Sequence, residues 1–458
     1  MSKPVSRSVE LTGRIVRPGD PQYPEASAGW NLLFTQTPQV VVYPQVTADV
    51  VNALTWARQN EVSLRVRSGG HCLEGWSSVD DGIVIDVSEM KSVSLDAESQ
   101  TATVGAGLNQ LEAVTALGRE GFAAPTGTEG TVGLVGATLG GGFGLLTRHL
   151  GMASDNLLAA EIVVADSDRG AEVITVDETS NPDLLWALRG AGNGNFGIVT
   201  SLTYRVHPLA QTIYVTATWS GIDHLHAVFD AWQRSAPTTD NRLTSQIEIN
   251  SEQVQLLGVL ASGTTQEALE LLGPILAVGA PEVTTSDASW VDTYTAFQIP
   301  IENEPANWKF QSQFISEPFP PEAIDLVCQY IATAPTAECN YFTNAFGGAV
   351  TRTEPSGGSV FAHRNAIFYA EPGAGWGTRG SAASADPQST AFLKWVDDFT
   401  KALAPYVSGA YSNVPNADMA DWQTAYWGFG VDRLTAIKAQ YDPTGVFSFE
   451  QGLSQPES

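Results

Sequence analysis

Apolar and polar residues follow two different periods in the first half of the chain. From residue 47 to residue 58, apolar side chains recur three and four positions apart behind Thr47, a good N-cap, and this spacing predicts a helix. Short β-branched runs predict buried strands that end close to glycines, at 64–66, 82–87 and 102–107. Further helices at 109–117 and 183–189, with strands at 161–165 and from 198, complete the pattern of an α+β domain.

The pattern changes near residue 206, where aromatic residues become frequent. Strand-like stretches at 245–250 and 254–261 predict a second domain, a sheet with covering helices. The tail from 409 to 453 returns to helix, and a Gly/Ser/Ala tract at 373–384 is typical of a loop. We therefore expect two domains, with segments 1–206 and 405–458 on either side of segment 207–404. The aromatic cluster of the middle segment is consistent with either a core or a ligand pocket.

Composition narrows the classes of partner. The 458 residues carry Lys+Arg 23 against Asp+Glu 50, a formal net charge of -27, and this field disfavours nucleic acid and anionic membranes. Three cysteines cannot form a disulfide framework, although a Cys328–Cys339 bridge and two independent thiols both stay open. The start of the chain lacks an apolar signal region, and no apolar run is long enough to span a membrane. These features predict a soluble, cytoplasmic protein.

One loop carries a candidate reactive group. The run Arg67-Ser68-Gly69-Gly70-His71 follows the strand at 64–66, and its glycines let the backbone come close to a bulky planar group. Imidazole nitrogen is a nucleophile that can form a covalent bond. A lone histidine in a turn is, however, more often structural. The loop alone therefore leaves both interpretations open.

Two glycine-rich regions extend the picture. Residues 126–156 hold too little side chain to pack as a core, so they are expected to lie against a flat group or phosphates. The spacing of Gly192, Gly194 and Gly197 matches a dinucleotide fingerprint by letter, but it follows a helix and precedes a strand, which is the reverse order. A loop around a cofactor ring or pyrophosphate fits better. The sequence shows neither a zinc-ligand constellation nor a Gly-x-Ser-x-Gly elbow.

Taken together, ordered motifs over almost the whole length resemble one family. They are Arg67-Ser68-Gly69-Gly70-His71, Thr131-Val132-Gly133 through Gly140-Gly141-Gly142-Phe143-Gly144, Arg148-x-x-Gly151 with Asp155-Asn156, Gly194-Asn195-Phe196-Gly197-Ile198-Val199-Thr200, Tyr411-x-Asn413, and Arg433-Leu434 with Tyr441-Asp442-Pro443 and Phe447. The chain resembles the berberine-bridge-enzyme-like group of the vanillyl-alcohol-oxidase/p-cresol-methylhydroxylase superfamily. The resemblance implies an α+β, two-domain flavoprotein, in which an antiparallel-sheet substrate domain is inserted into an FAD-binding domain.

The resemblance also implies the cofactor and its residues. His71 is expected to bond covalently to the 8α-methyl group of FAD. The expected cofactor-binding set is His71, Arg67, Ser68, Gly69, Gly70, Cys72, Thr126, Gly127, Thr131, Val132, Gly133, Gly136, Ala137, Thr138, Gly141, Gly142, Asp155, Asn156, Gly197, Ile198 and Val199. Many family members form a second bond from a cysteine where this chain has Glu129, so we expect a single link. Gly430 stands where the family pattern has asparagine, so contacts from that segment are not expected.

The family reaction is hydride transfer from a substrate carbon to the flavin, followed by reoxidation by O₂ to hydrogen peroxide. By resemblance, Tyr411 is the first candidate for the base or a substrate hydrogen-bonder. Asn413 is the second candidate, expected to orient substrate. Tyr369 and Glu371 come third, and an ordinary strand is the alternative interpretation of those two residues. Val132 lies where family members gate oxygen, and its small side chain favours oxidase behaviour.

Three functions remain open at this stage. The chain is expected to be an oxidase of an alcohol, amine or related centre on a small natural product. The alternatives are a carbohydrate or oligosaccharide oxidase that forms a lactone, and a non-catalytic flavin-binding protein. Expected partners are a small-molecule substrate and O₂, with neither nucleic acid nor membrane, and the protein is expected to be a monomer or homodimer.

Overall fold

The first two sheets of the protein come from the N-terminal half of the chain. The computed structural model describes residues 9–166, 170–299, 304–352, 354–380 and 389–455. In chain order the first elements are β1 (Arg14–Val16), α1 (Tyr23–Ser27), β2 (Val40–Tyr43), α2 (Thr47–Gln59), β3 (Leu64–Arg67), β4 (Ile83–Asp86), β5 (Val93–Asp96), β6 (Thr101–Gly105), α3 (Gln110–Gly118), β7 (Phe122–Ala123), α4 (Leu134–Gly140), α5 (Thr147–Leu150), β8 (Leu157–Ala165), β9 (Ala171–Val176), α6 (Pro182–Ala191) and β10 (Ile198–Arg205).

A small mixed sheet and a five-stranded antiparallel sheet form this half. The first has the order β1-β2-β4-β3, with β2 and β3 both parallel to β4. The second has the order β5-β6-β10-β8-β9. Helix α2 buries the predicted apolar stripe, including Val50 and Leu54, in the core shared by both sheets. The β3 strand thus ends beside this core, and the His71 loop begins there.

The middle of the chain builds one large antiparallel sheet with helices against it. Its elements are β11 (His207–Pro208), β12 (Gln211–Ser220), α7 (Leu225–Ser235), β13 (Leu243–Ile249), β14 (Gln253–Leu260), α8 (Thr265–Leu271), α9 (Gly273–Leu276), β15 (Glu282–Ser289), α10 (Trp290–Ala296), β16 (Asn307–Phe310), β17 (Gln313–Ile315), α11 (Pro321–Ala332), β18 (Cys339–Ala345), α12 (Ala349–Arg352), β19 (Phe368–Trp376) and α13 (Ser389–Leu403). The strand order is β15-β12-β14-β13-β18-β19-β16, with β17 also paired to β19. The antiparallel sheet expected for the inserted domain is confirmed.

The C-terminal tail returns to the first domain. It contributes α14 (Trp422–Trp427) and α15 (Val431–Tyr441), whose buried residues join the same core as the N-terminal sheets. A separate core holds residues of the middle segment between 213 and 403. The boundaries at 206/207 and 404/405 stay a prediction, which this division of the two cores supports. Cys72, Cys328 and Cys339 are free thiols, so the Cys328–Cys339 bridge is not formed.

The prediction of a loop at 373–384 is wrong for its first residues, because Gly373–Trp376 completes β19. The glycines make room for aromatic rings from β16. A Cβ on Gly373 would lie 2.7 Å from a ring atom of Phe310, and a Cβ on Gly375 would lie 2.2 Å from the ring of Trp308. Glycine therefore marks a close approach within a strand here, not a turn. Residues 381–384 lie outside the described residues.

The two domains are joined by a buried arginine. Arg148, after the glycine-rich segment, donates hydrogen bonds to the carbonyl oxygens of Pro237, Thr239, Asp240, Leu243 and Phe346, at 2.5 to 3.1 Å. All of these carbonyls belong to the inserted domain. One guanidinium therefore fixes the inserted sheet relative to the segment that follows α4.

Candidate functional site

A deep cavity lies where β3, α4, the 191–199 loop and the C-terminal tail meet. Its empty volume is about 1480 Å³, counted to the open mouth, and its walls are mainly apolar. The cavity brings together these predicted residues: His71, Arg67, Ser68, Gly69, Gly70, Cys72, Val132, Gly133, Gly136, Ala137, Gly197, Val199 and Asn413.

His71 stands on the cavity wall with a defined orientation. Its Nε2 lies 3.0 Å from Thr131 Oγ1, and its ring stacks on Trp30 with centroids 5.4 Å apart and an interplanar angle of 21°. Burial lowers the pKa of His71 to about 4, because the charged ring is poorly solvated there. The imidazole is therefore neutral near pH 7. A neutral ring keeps a lone pair on one nitrogen, which is the state that a nucleophile needs.

Two glycines hold the His71 loop against the start of α4. A Cβ on Gly69 would lie 2.2 Å from the backbone nitrogen of Gly133, and a Cβ on Gly133 would lie 2.6 Å from that of Gly69. The two backbones touch where side chains would prevent it. Gly136, in the first turn of α4, instead faces open space, with nothing within 4 Å of a Cβ. A side chain at Gly136 would therefore occupy the cavity itself.

Arg67 lines the cavity, but its charge is used elsewhere. The guanidinium forms a 2.5 Å ion pair with Asp86 and donates to the carbonyl oxygens of Ala26 and Ala28. Arg67 therefore fixes the loop. Arg65 also lines the cavity, and its ion pair with Glu450 is longer, at 3.7 Å. Arg65 is not among the residues expected from the sequence. Its position two residues before Arg67 on the same strand was the available signal, since such residues share a face.

A hydrogen-bond network connects the cavity to Tyr411. Asn413 lines the cavity, and its amide donates to Tyr411 Oη at 2.7 Å and to the carbonyl of Ala137 at 2.8 Å. The N–H of Gly142 also donates to Tyr411 Oη, at 2.7 Å. Burial raises the pKa of Tyr411 well above its usual range, against the lowering by these two donors. Tyr411 thus stays protonated, with its oxygen held by two donors.

Tyr369 and Glu371 lie beside Tyr411 on strand β19. The Tyr369 hydroxyl donates to the Glu371 carboxylate, and the rings of Tyr369 and Tyr411 are 5.8 Å apart in an aromatic cluster with Phe143. Removal from bulk water raises the pKa of Glu371 to about 7; the Tyr369 hydroxyl opposes this rise and the charge of Glu248 adds to it. Glu371 is therefore the carboxyl group here whose proton affinity suits exchange near neutral pH.

Several predicted cofactor residues lie outside the cavity lining and have structural contacts. Thr138 Oγ1 is 2.7 Å from the buried Tyr204 hydroxyl, and Ile198 packs in the core of the N-terminal sheets. Asp155 forms an ion pair with Arg364 at 2.5 Å. Asn156 donates to the carbonyl oxygens of Leu150 and Met152, and its Oδ1 lies 2.8 Å from His207 Nε2.

The rest of the predicted set supports the wall from behind. Gly141 and Gly142 pack against the Tyr411 hydroxyl, and the N–H of Gly127 donates to Gln110. Thr131 contacts His71 without lining the cavity, and Thr126 belongs to the same segment before it. Their glycine-rich sequence therefore reflects close backbone packing around the site.

The cavity also has walls that sequence analysis missed. These residues are Trp76, Ser77, Asn193, Asn195, Tyr426, Trp427, Phe449 and Gln451. The 192–197 loop had been expected to surround a cofactor ring or pyrophosphate, and Asn193 and Asn195 stand between its glycines. Flavin contacts were not expected from the segment that contains Gly430. Tyr426 and Trp427 of α14, in the same segment, nevertheless line the cavity.

The lining residues fit an FAD molecule. Gly133 is the N-cap of α4, and the first turn of this helix lines the cavity through Val135 and Gly136. N–H groups at a helix start favour phosphate oxygens. The open space beside Gly136 leaves room for a flat ring or a pyrophosphate. The apolar walls of the cavity and the amides of Asn193, Asn195 and Asn413 on them suit a dinucleotide with aromatic rings and polar groups. Nothing in the donor set opposes that assignment.

Comparisons with known proteins agree with this geometry. The chain matches the family model described as "FAD binding domain" over residues 38–169 and the one described as "Berberine and berberine like" over residues 410–454. It is 39% identical to the FAD-linked oxidoreductase YvdP of Bacillus subtilis (strain 168), over 97% of this chain and 99% of that protein. It is 29% identical to a xylooligosaccharide oxidase of Thermothelomyces thermophilus, over 92% and 88% of the two chains.

A solved structure gives the same result for the fold. The chain superposes on BBE-like 1 of Physcomitrella patens with a TM-score of 0.89, at 26% identity, covering 98% of both chains. Among the described residues, no helix is both long and apolar enough to cross a membrane.

Proposed function

Since the chain belongs to the berberine-bridge-enzyme-like family of FAD-linked oxidoreductases, we propose that it is an oxidase acting on a small organic substrate. The substrate carbon bears an alcohol, an amine or a related group, and O₂ is the final electron acceptor. FAD, when bound, supplies an electron-poor ring that accepts a hydride from that carbon. The observation that carries the proposal is the Tyr369–Glu371 pair beside Tyr411, which Asn413 connects to the cavity wall.

Glu371 is the proposed base. A general base works best when its pKa lies near the working pH, and the pKa of Glu371 is about 7. The Tyr369 hydroxyl donates a hydrogen bond to this carboxylate and fixes its orientation. Tyr411 is then the substrate hydrogen-bonder, one of the two roles expected from the sequence. Its oxygen already receives hydrogen bonds from Gly142 and Asn413, so its own O–H is left to donate to a substrate oxygen or nitrogen.

A single covalent bond from His71 to FAD is part of the proposal. Support comes from the neutral imidazole on the cavity wall, held between Trp30 and Thr131. Cys72 also lines the cavity, but burial raises the pKa of its thiol, and the neutral thiol is a poor nucleophile. Glu129 occupies the position at which a second link would be expected from the resemblance, and a carboxylate cannot replace a thiolate there.

A carbohydrate or oligosaccharide is the second candidate substrate. One face of the inserted sheet carries amides and a carboxylate that suit sugar hydroxyl groups. On this face Gln246 donates to Asn344 at 2.7 Å, and Asn340 donates to Glu248 at 2.9 Å. A relative that is named a xylooligosaccharide oxidase supports the same candidate. On this reading the product of oxidation at an anomeric hydroxyl would be a lactone.

The test combines substrate screening with matched variants. Purified protein is mixed with panels of alcohols, amines and aldoses, and hydrogen peroxide and flavin bleaching are recorded. We expect Tyr411→Phe to lose at least about tenfold in the rate of flavin reduction, since it removes a hydrogen-bond donor. Tyr341→Phe, at a buried tyrosine elsewhere on the sheet, should match the unaltered protein. If no compound in any panel reduces the flavin, this would contradict the oxidase proposal and favour a non-catalytic flavin-binding protein.

The covalent link has its own test. Acid precipitation of the unaltered protein should leave yellow colour in the pellet, and His71→Ala should release FAD into the supernatant. Mass spectrometry of the peptide around residue 71 identifies the modified side chain. An unmodified peptide from flavin-loaded protein would contradict the link.

A further inference from the structure

In the segment before α4, the hydroxyl group of Thr131 connects the carboxylate of Glu129 to His71. Thr131 Oγ1 is 3.0 Å from His71 Nε2 and donates to Glu129 Oε1 at 3.0 Å, while the N–H of Thr131 reaches the same oxygen at 3.2 Å. We propose that Glu129 and Thr131 form a relay that fixes the tautomer of His71 and accepts the imidazole proton when His71 bonds to FAD. The inference rests on the covalent link proposed above.

The direction of the relay follows from hydrogen-bond capacity. An ionised carboxylate only accepts, and a threonine hydroxyl has one proton to donate. Because that proton goes to Glu129, Thr131 Oγ1 can only accept from His71, and Nε2 must carry the imidazole hydrogen. The lone pair then lies on Nδ1. The relay thus selects one of the two neutral tautomers, and it leaves the proton on the nitrogen that faces a base.

The surrounding contacts hold the relay in place. Gln110 donates to the carbonyl oxygen of Glu129 at 2.8 Å and accepts from the N–H of Gly127. From the inserted domain, Gln298 accepts from the N–H of Gly130 and donates to the carbonyl oxygen of Thr128, both at 2.8 Å. Clamps on both sides fix the backbone that carries Glu129 and Thr131. The stacked Trp30 limits rotation of the His71 ring.

Formation of the bond would reduce the flavin by two electrons. Nδ1 of His71 forms a bond to the 8α carbon of FAD, and that carbon loses one C–H bond. The carbon's proton and the electron pair of the broken bond reduce the isoalloxazine ring. The Nε2 proton leaves through Thr131 to Glu129 and completes the two-proton, two-electron reduction through solvent. Molecular oxygen then takes both electrons and both protons, which restores oxidised, linked flavin and gives hydrogen peroxide.

Glu129 and Thr131 are positioning residues in this scheme, and the test measures covalent attachment. Full-length protein from riboflavin-starved cells is mixed with FAD, and the acid-stable fraction of bound flavin is followed with time. We expect Glu129→Gln and Thr131→Val to slow attachment on the order of a hundredfold, as for loss of a general base. Thr131→Ser keeps the hydroxyl and should restore the rate. Glu98→Gln and Thr203→Val, at surface positions, are the matched controls.

FAD that is bound but not covalently attached is measured by filtration before the acid step. A variant that binds FAD weakly is thus distinguished from one that forms the covalent bond slowly. Attachment at the unaltered rate in both Glu129→Gln and Thr131→Val would overturn the relay. If the unaltered protein has no acid-stable flavin, or His71→Ala keeps it, the covalent link itself fails. These two failures are distinguishable.

A second measurement does not depend on how the Glu129 and Thr131 variants fold. Nitrogen NMR of the unaltered apoprotein, labelled at histidine and assigned with His71→Ala, reports which ring nitrogen carries hydrogen. We expect the Nε2–H tautomer. A His71 ring with hydrogen on Nδ1 would overturn the relay.

Discussion

Replacement of Glu371 by glutamine tests the proposed base most directly. Its pKa is about 7 instead of 4.5, mainly because the carboxyl is removed from bulk water. At pH 8 most molecules carry the carboxylate, whereas at pH 5 only about one in a hundred does. If the carboxylate accepts the substrate proton, flavin reduction should slow by roughly tenfold for each pH unit below 7. Glu371→Gln should be slow at every pH, with no slope in this range.

The same substitution gives an independent stability signature. Between about pH 4.5 and 7 the folded protein holds a proton on Glu371 that the unfolded chain releases. The unaltered protein therefore loses stability as pH rises through this window, by at most about 3 kcal/mol in total. Glutamine cannot ionise, so the Glu371→Gln variant does not lose this stability as pH rises. We thus expect Tm of Glu371→Gln to exceed that of the unaltered protein by more at pH 8 than at pH 5.

Stopped-flow flavin bleaching under anaerobic conditions and thermal melts at both pH values measure the two effects. Glu338→Gln, at a side chain that is 60% exposed, is the control and should change neither. A bleaching rate that stays pH-dependent in Glu371→Gln, with the slope still centred near pH 7, would refute the assignment of the base. A melting difference that is equal at pH 5 and pH 8 would refute the raised pKa.

Three further substitutions test other parts of the structure. Gly136→Ala should leave Tm unchanged but weaken FAD binding, measured by titration of apoprotein, because its Cβ enters the cavity; tight binding would contradict this placement. Arg148→Met should cost about 3–5 kcal/mol in a denaturant melt, since it leaves buried carbonyls of the inserted domain without donors. Lys309→Met should lower Tm by leaving Glu74 charged and buried, and adding Glu74→Gln should restore much of the loss. No recovery in the double variant would argue against the pair.

The loop that carries His71 to the cavity wall could be predicted from the sequence because it depends on local chemistry. Strand β3, the paired glycines and His71 are adjacent in the chain, and glycine is required where two backbones touch. The antiparallel sheet of the inserted domain was expected as well, since it follows from the resemblance. By contrast, Gly373 and Gly375 were assigned to a loop, because the rings that need the space come from β16, more than 60 positions earlier in the chain.

The sequence by itself determined the family, the fold class, the FAD cofactor and the glycine-lined neighbourhood of His71. Only the tertiary structure decided that Arg67 is committed to Asp86 while Arg65 faces the cavity, and that Tyr369 and Glu371 lie beside Tyr411. It also decided that Glu129 reaches His71 through Thr131. The physical reason is that side-chain partners and proton affinity depend on which groups share a buried space, and elements far apart in the chain supply those groups.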